Sequence, residues 1–123
     1  MENLNEANWA WIAGIFEGEG CFSFTNSWPV MQIQMADKDV MEKISLFLEV
    51  PLKGPHYKKG GTKPTYQIAL RKTKKLEFIS DKIYEYMGER RKKSIDEWRE
   101  YWQTKNWKKK SLQKLGNADL TVK

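Results

Sequence analysis

The run WIAGIFEGEGCFSF, residues 11–24, changes its hydrophobic period from helical to strand-like with no loop-like segment in between. Glu17, Gly18, Glu19 and Gly20 form the junction. Few features restrict a fold more than an apolar helix that must give way at once to a strand. Carboxylates are poor choices for the end of such a helix, because its dipole already places about half a negative charge there. Something has to offset them.

The remaining pattern is regular. A helix is expected from Glu6 to Gly18, with Asn5 as N-cap. Cys21 to Asn26 and Val30 to Met35 alternate as strands around an Asn-Ser-Trp-Pro hairpin connection. Asp37 to Leu48 carries Val40, Met41, Ile44, Phe47 and Leu48 on one helical stripe. A third strand near Gly54 to Lys59 and a fourth from Thr65 to Arg71 flank a Lys/Gly turn. Leu76, Ile79, Ile83 and Met87 mark a third helix closed by Gly88, and Ser94-Ile-Asp-Glu97 reads as a capping box opening a fourth. The order is helix, hairpin, helix, hairpin, then two helices. It predicts an α+β chain whose antiparallel four-stranded sheet is covered by helices on one face. Residues 1–110 form one domain in this reading, and residues 111–123 a tail.

The 123 residues suffice for one core without disulfides or a structural metal. A single cysteine, Cys21, excludes an intramolecular disulfide and points to a reducing compartment. The one histidine, His56, leaves too few ligands for a His/Cys zinc site and argues against nucleases that need several histidines. There is no stretch of membrane-span length and no signal-peptide pattern, so an intracellular location is expected, in a bacterial or phage-infected cytoplasm or an organelle. No membrane and no small-molecule cofactor are expected.

Charge is unevenly spread. Residues 1–51 hold two basic and eight acidic residues; residues 52–123 hold twenty basic and eight acidic. Between Lys53 and Lys75 there are eight Lys/Arg and no acid, which suggests a polyanion partner. The plainer reading is a solvated basic surface. The polar side of the strands adds a second argument, because it is Ser, Thr, Gln, Lys and Arg without an acid. Gln suits adenine, Arg or Lys suits guanine, and a β-ribbon fits the major groove of double-stranded DNA. On this reading Ser23, Thr25, Gln32, Gln34, Lys58, Gln67 and Arg71 face bases or nearby phosphates. Lys59 and Lys63 hold phosphates from the turn. His56 either joins them or is an edge residue near water.

Ala10, Gly14 and Gly18 lie four residues apart and make a small-residue stripe on the first helix, adjoined by Ala13. Such stripes let two helix backbones approach closely. The chain has one such helix and no repeat, so the partner is a second copy about a two-fold axis, or else the chain's own sheet. A two-fold pair brings two EGEG segments together. A divalent cation held against a phosphate would offset their charge, and oxygen ligands suit Mg²⁺. The alternative is that Glu17 and Glu19 simply reach solvent.

Ile12-Ala13-Gly14-Ile15-Phe16-Glu17-Gly18-Glu19-Gly20 resembles the nine-residue motif that names the LAGLIDADG homing endonucleases. Ile stands for Leu, Phe for Ile and Glu for both Asp, while Ala13, Gly14 and Gly20 match outright. With the αββαββα order that follows, the resemblance covers roughly residues 5–105. It implies a homodimer that cuts long, nearly palindromic DNA sites using Mg²⁺, and it links the chain to an intron. It implies that Glu19 and the Gly20 carbonyl bind the cleavage metal, and that Glu17 has a structural role at the helix end. Glu17 then belongs to the dimer interface with Ala10, Ala13, Gly14 and Gly18. Asp37 falls where the family places a water-positioning polar residue, although it also suits the N-cap of the second helix. Arg90 or Arg91 falls where a basic active-site residue is placed. The alternative within the resemblance is a non-cleaving DNA-binding protein or intron maturase of the same fold. Outside it stands a basic RNA-binding protein, which would not explain the small-residue helix ending in acids.

Overall fold

The structure is a computed structural model and describes residues 1, 3–71 and 74–103. The expected tail, residues 111–123, and the end of the expected domain lie outside the described residues. Eight elements follow in order: α1 (Glu6–Glu19), β1 (Gly20–Thr25), β2 (Trp28–Met35), α2 (Lys38–Leu48), β3 (Lys53–Tyr57), β4 (Pro64–Arg71), α3 (Lys74–Tyr84) and α4 (Glu89–Gln103). Asn5 caps α1 as expected: its side chain accepts from the Asn8 N–H at 2.8 Å, and Asn8 accepts in return from the Asn5 N–H at 3.0 Å.

The four strands make one antiparallel sheet in the order β1-β2-β4-β3. Each hairpin supplies one edge strand and one central strand. The β1–β2 loop is only Asn26 and Ser27, both at positive φ (52° and 71°), the geometry that matches strand twist in a two-residue turn. At the other edge β3 is irregular between Lys53 and His56. Gly54 stands there at φ +128°, where a Cβ would come within 2.8 Å of the Thr65 carbonyl oxygen. Only glycine fits this bend.

Register divides the sheet cleanly. Gly20, Phe22, Met31, Ile33, Ile68 and Leu70 share the inner face, and Met31, Ile33 and Ile68 are fully buried. Against them pack Ile12, Ala13 and Phe16 of α1, Met41, Ile44 and Leu48 of α2, Leu76, Ile79 and Ile83 of α3, and Ile95, Trp98 and Trp102 of α4. Full burial of a side chain such as Phe16 contributes about 1.5–3 kcal/mol. All four described helices therefore lie over one face, and among the described residues no helix covers the other, although Val30 is buried there.

The last helix departs from the sequence reading. α4 begins at Glu89, so Ser94 is not its cap and Arg90 to Lys93 belong to its first turns. Gly88 precedes α4, and does not close α3, which ends at Tyr84. Trp98 fixes α4 to the sheet by donating its indole N–H to the Ser23 carbonyl at 2.9 Å, with its ring 5.3 Å from that of Phe22. Arg99 fixes it to α3, 2.7 Å from Asp81 and 3.1 Å from the Ser80 hydroxyl.

Candidate nucleic-acid interface and acidic helix end

The junction between α1 and β1 has no linker: Glu19 is the last helical residue and Gly20 the first of the strand. Gly20 donates its N–H to the Phe16 carbonyl. A Cβ on Gly20 would lie 2.5 Å from the Phe16 carbonyl oxygen and 2.9 Å from its ring. Only a residue without a side chain lets the strand leave the helix this closely.

The two glutamates at this end have separate environments. Glu17 turns toward the start of α4, where its Oε1 accepts the Gly88 N–H at 2.6 Å. Arg91, from the first turn of α4, donates Nε–H to the Glu17 carbonyl at 3.0 Å and lies 3.7 Å from its Oε2. The C-terminus of α1 thus meets the N-terminus of α4, so ends of opposite dipole sign face each other. The Glu17 carboxylate takes an orphan donor of α4, and the Arg91 cation takes an orphan carbonyl of α1. This is the local offset that a helix ending in acids requires. Glu19, by contrast, is exposed and engages no hydrogen bond or ion pair among the described residues.

Other chemically active side chains gather at the same end of the sheet. Gly20 pairs with Ile33, and β2 runs on from there to Met35 and out to Asp37. Asp37 occupies the N-cap position of α2 but makes no capping bond with its side chain, which is exposed. β4 starts beside Met35, and the preceding turn brings Lys58, Thr62, Lys63 and Thr65 around a shallow recess with Ala36. Lys58 lies in this turn with Lys59, just past the end of β3, rather than on a strand. Arg90 is exposed, whereas Arg91 is drawn in against Glu17.

The bare face carries most of the remaining residues singled out by sequence. Pairing of Cys21 with Gln32, Gln32 with Ala69, Gln34 with Gln67, and Val30 with both Ser23 and Arg71 puts Ser23, Thr25, Gln32, Gln34, Gln67 and Arg71 on that face. His56 pairs with Thr65 and so joins the same side, on the exposed edge strand. Lys53, opposite Gln67, also stands here; the sequence pattern misses it because β3 starts one residue earlier than the alternation suggests. No residue of this face in the described strands is acidic. Several side chains are already tied across strands. Gln67 donates to Gln32 at 2.9 Å, Gln34 donates to the Thr65 hydroxyl at 2.8 Å, and that hydroxyl lies 3.4 Å from the His56 carbonyl.

The small-residue stripe divides as well. Ala10, Gly14 and Gly18 are exposed, and a Cβ on Gly14 or Gly18 would meet nothing within 4 Å. Ala13 is fully buried in the chain's own core. The described residues include no group of three or more His, Cys, Asp or Glu placed to hold a metal, and no helix long and apolar enough to cross a membrane.

No protein-family model and no curated protein matches the chain. Solved structures do. An archaeal intron-encoded homing endonuclease, I-Vdi141I, complexed with DNA, is similar with a TM-score of 0.58 at 22% identity, over 77% of this chain and 66% of that one. The I-LtrWI LAGLIDADG homing endonuclease bound to target DNA gives a TM-score of 0.61 at 22% identity, over 93% of this chain but 44% of that one. The homing endonuclease I-TnaI gives 0.55 at 19% identity, over 90% and 85% of the two chains. The fold is that of the LAGLIDADG homing endonucleases, as the motif at residues 12–20 implies.

Proposed function

We propose that this chain, with its LAGLIDADG fold, is a site-specific DNA endonuclease that acts as a homodimer on a long, pseudo-palindromic duplex and depends on a divalent cation, most simply Mg²⁺. One observation carries the reading: of two glutamates at the end of α1, the chain ties down Glu17 and leaves Glu19 free, beside a bare sheet face without acids.

The bare face docks in the major groove and sets the register of the scissile phosphates. The exposed stripe Ala10, Gly14 and Gly18 packs against the same stripe of a second copy, which brings two Glu19 carboxylates toward one two-fold axis. Glu19 and the Gly20 carbonyl would hold the cation. One carboxylate per chain fits a hard ion that keeps several waters and takes its other oxygens from phosphate. When bound, such an ion neutralises charge on the attacking and leaving oxygens of phosphodiester hydrolysis. Asp37, uncommitted at the start of α2, orients the attacking water. Arg91 keeps its terminal guanidinium nitrogens near the α1 end and stabilises phosphate charge. Arg90 is left to engage more distant phosphate.

The test is selection of cleaved duplexes from a randomised library with Mg²⁺, followed by the same assay on Glu19→Gln. The variant keeps its shape and loses charge. It should bind the selected duplex like the wild type and cleave it slower by roughly 10²-fold or more. Unimpaired nicking by Glu19→Gln would place the chemistry elsewhere. A wild type that binds but never cuts would favour the non-cleaving reading, a DNA-binding or maturase role.

A further inference from the structure

The cross-strand pair Gln32 and Gln67 sits near the middle of the bare face, both side chains half-buried and joined at 2.9 Å. In this bond Gln67 donates from its amide nitrogen and Gln32 accepts through its carbonyl oxygen. A side-chain amide has one acceptor end and one donor end, so this bond fixes what each partner has left. Gln32 keeps both N–H donors and one carbonyl lone pair for an outside ligand, so it is mainly a donor. Gln67 keeps its whole carbonyl oxygen and one N–H, so it is mainly an acceptor. Neither amide can turn around without breaking the bond or forcing the other to turn.

Resting on the sheet being the reading surface, we infer that Gln32 and Gln67 read DNA as one coupled unit, and that Gln67 sets the polarity of the hydrogen bonds Gln32 makes. With the bond as it stands, Gln32 offers donors and selects a base edge rich in acceptors, such as guanine O6 and N7. Gln67 offers an acceptor and selects an amino group, such as adenine N6 or cytosine N4. Adjacent strands lie about 4.8 Å apart, so the two ends reach neighbouring base positions rather than a single one. A free glutamine can turn either end of its amide to a base independently. The tied pair replaces two independent choices with one joint choice.

The coupling predicts a switch that two independent glutamines would not produce. In Gln67→Glu the carboxylate can only accept, so Gln32 must turn its NH₂ toward residue 67 and present its carbonyl oxygen to the DNA. Preference at the position read by Gln32 should then change from an acceptor-rich base to one with an amino group, although Gln32 itself is untouched. The experiment is selection of bound duplexes from half-site libraries by the full chain, using wild type, Gln32→Ala, Gln67→Ala, the double variant and Gln67→Glu. Melting curves would check that each variant is folded. Gln32→Ala identifies its position by a loss of discrimination of roughly fivefold or more. The expected result is that Gln67→Glu reverses preference at that same position, and that the double Ala variant loses less than the product of the two single losses. Unchanged preference there in Gln67→Glu, with independent losses in the two Ala variants, would overturn the coupling while leaving the sheet as the reading surface. Wild-type preference in every variant would overturn both.

Discussion

Glu17 and Glu19 stand two positions apart on one helix, yet only Glu17 has partners, and those partners come from α4 and the residue before it. The difference is measurable without any DNA. Glu17→Ala leaves the Gly88 N–H and the Arg91 cation without their carboxylate, and loss of a helix-capping acceptor costs about 0.5–2 kcal/mol. Glu19→Ala removes an unpaired negative charge from the end of a dipole that disfavours it, so its effect should stay within about 0.5 kcal/mol and tend toward stabilisation. Urea unfolding of both variants checks this, and equal losses would show that Glu19 is also a structural residue. The sequence could mark both acids as anomalous for a helix end. It could not separate their roles, because the groups that claim Glu17 lie more than seventy residues away.

Among the elements, α1 is the one whose outer face lacks side chains of any size at Ala10, Gly14 and Gly18. Gly14→Leu tests what that face is for. The single chain has open space at the position, and glycine inside a helix is worse than most residues by up to about 1 kcal/mol, so the protomer should fold at least as well as the wild type. A second copy packed closely on the stripe would be pushed away. Sedimentation should therefore show a folded monomer where the wild type is a dimer, and DNA binding should weaken sharply. A Gly14→Leu chain that still pairs as the wild type does would remove the stripe from the interface. Ala13, which the sequence pattern assigns to the same surface, is buried inward instead, since a helical position one residue from a stripe turns by about a quarter of the circle. Most elements are legible because each carries its period and its punctuation locally: Asn5 before α1, the Asn26–Ser27 turn, and the alternation in β2 and β4. α4 is not. Ser94-Ile-Asp-Glu97 imitates a capping box, while the true start is satisfied by Glu17, an acceptor that no local window contains.

At the scale of the molecule, the lysines of the β3–β4 turn and the glutamines of the sheet lie in different regions, so they can be tested separately. Lys58 and Lys63 line the recess beside the β3–β4 turn, whereas Gln34 stands on the sheet tied to Thr65. Replacing Lys58 or Lys63 by Ala should weaken binding to all sequences alike and lower the slope of log affinity against log salt by about 0.9 for each phosphate that is no longer neutralised. Gln34→Ala should leave that slope alone and alter preference at particular positions. A salt slope unchanged by both lysine substitutions would mean that the turn does not touch the backbone of the duplex. The join between the end of α1 and the start of α4 also has a meaning in time. Protein synthesis delivers the motif at residues 12–20 early, and the sheet soon after. Gly88 and Arg91, which clasp Glu17, and Trp98, which clasps the Ser23 carbonyl, are made only after all four strands. A nascent chain can therefore hold every strand and both glutamates while the end of α1 is still unclasped. The acidic end therefore acquires its native surroundings only when α4 arrives, well after the strands it adjoins.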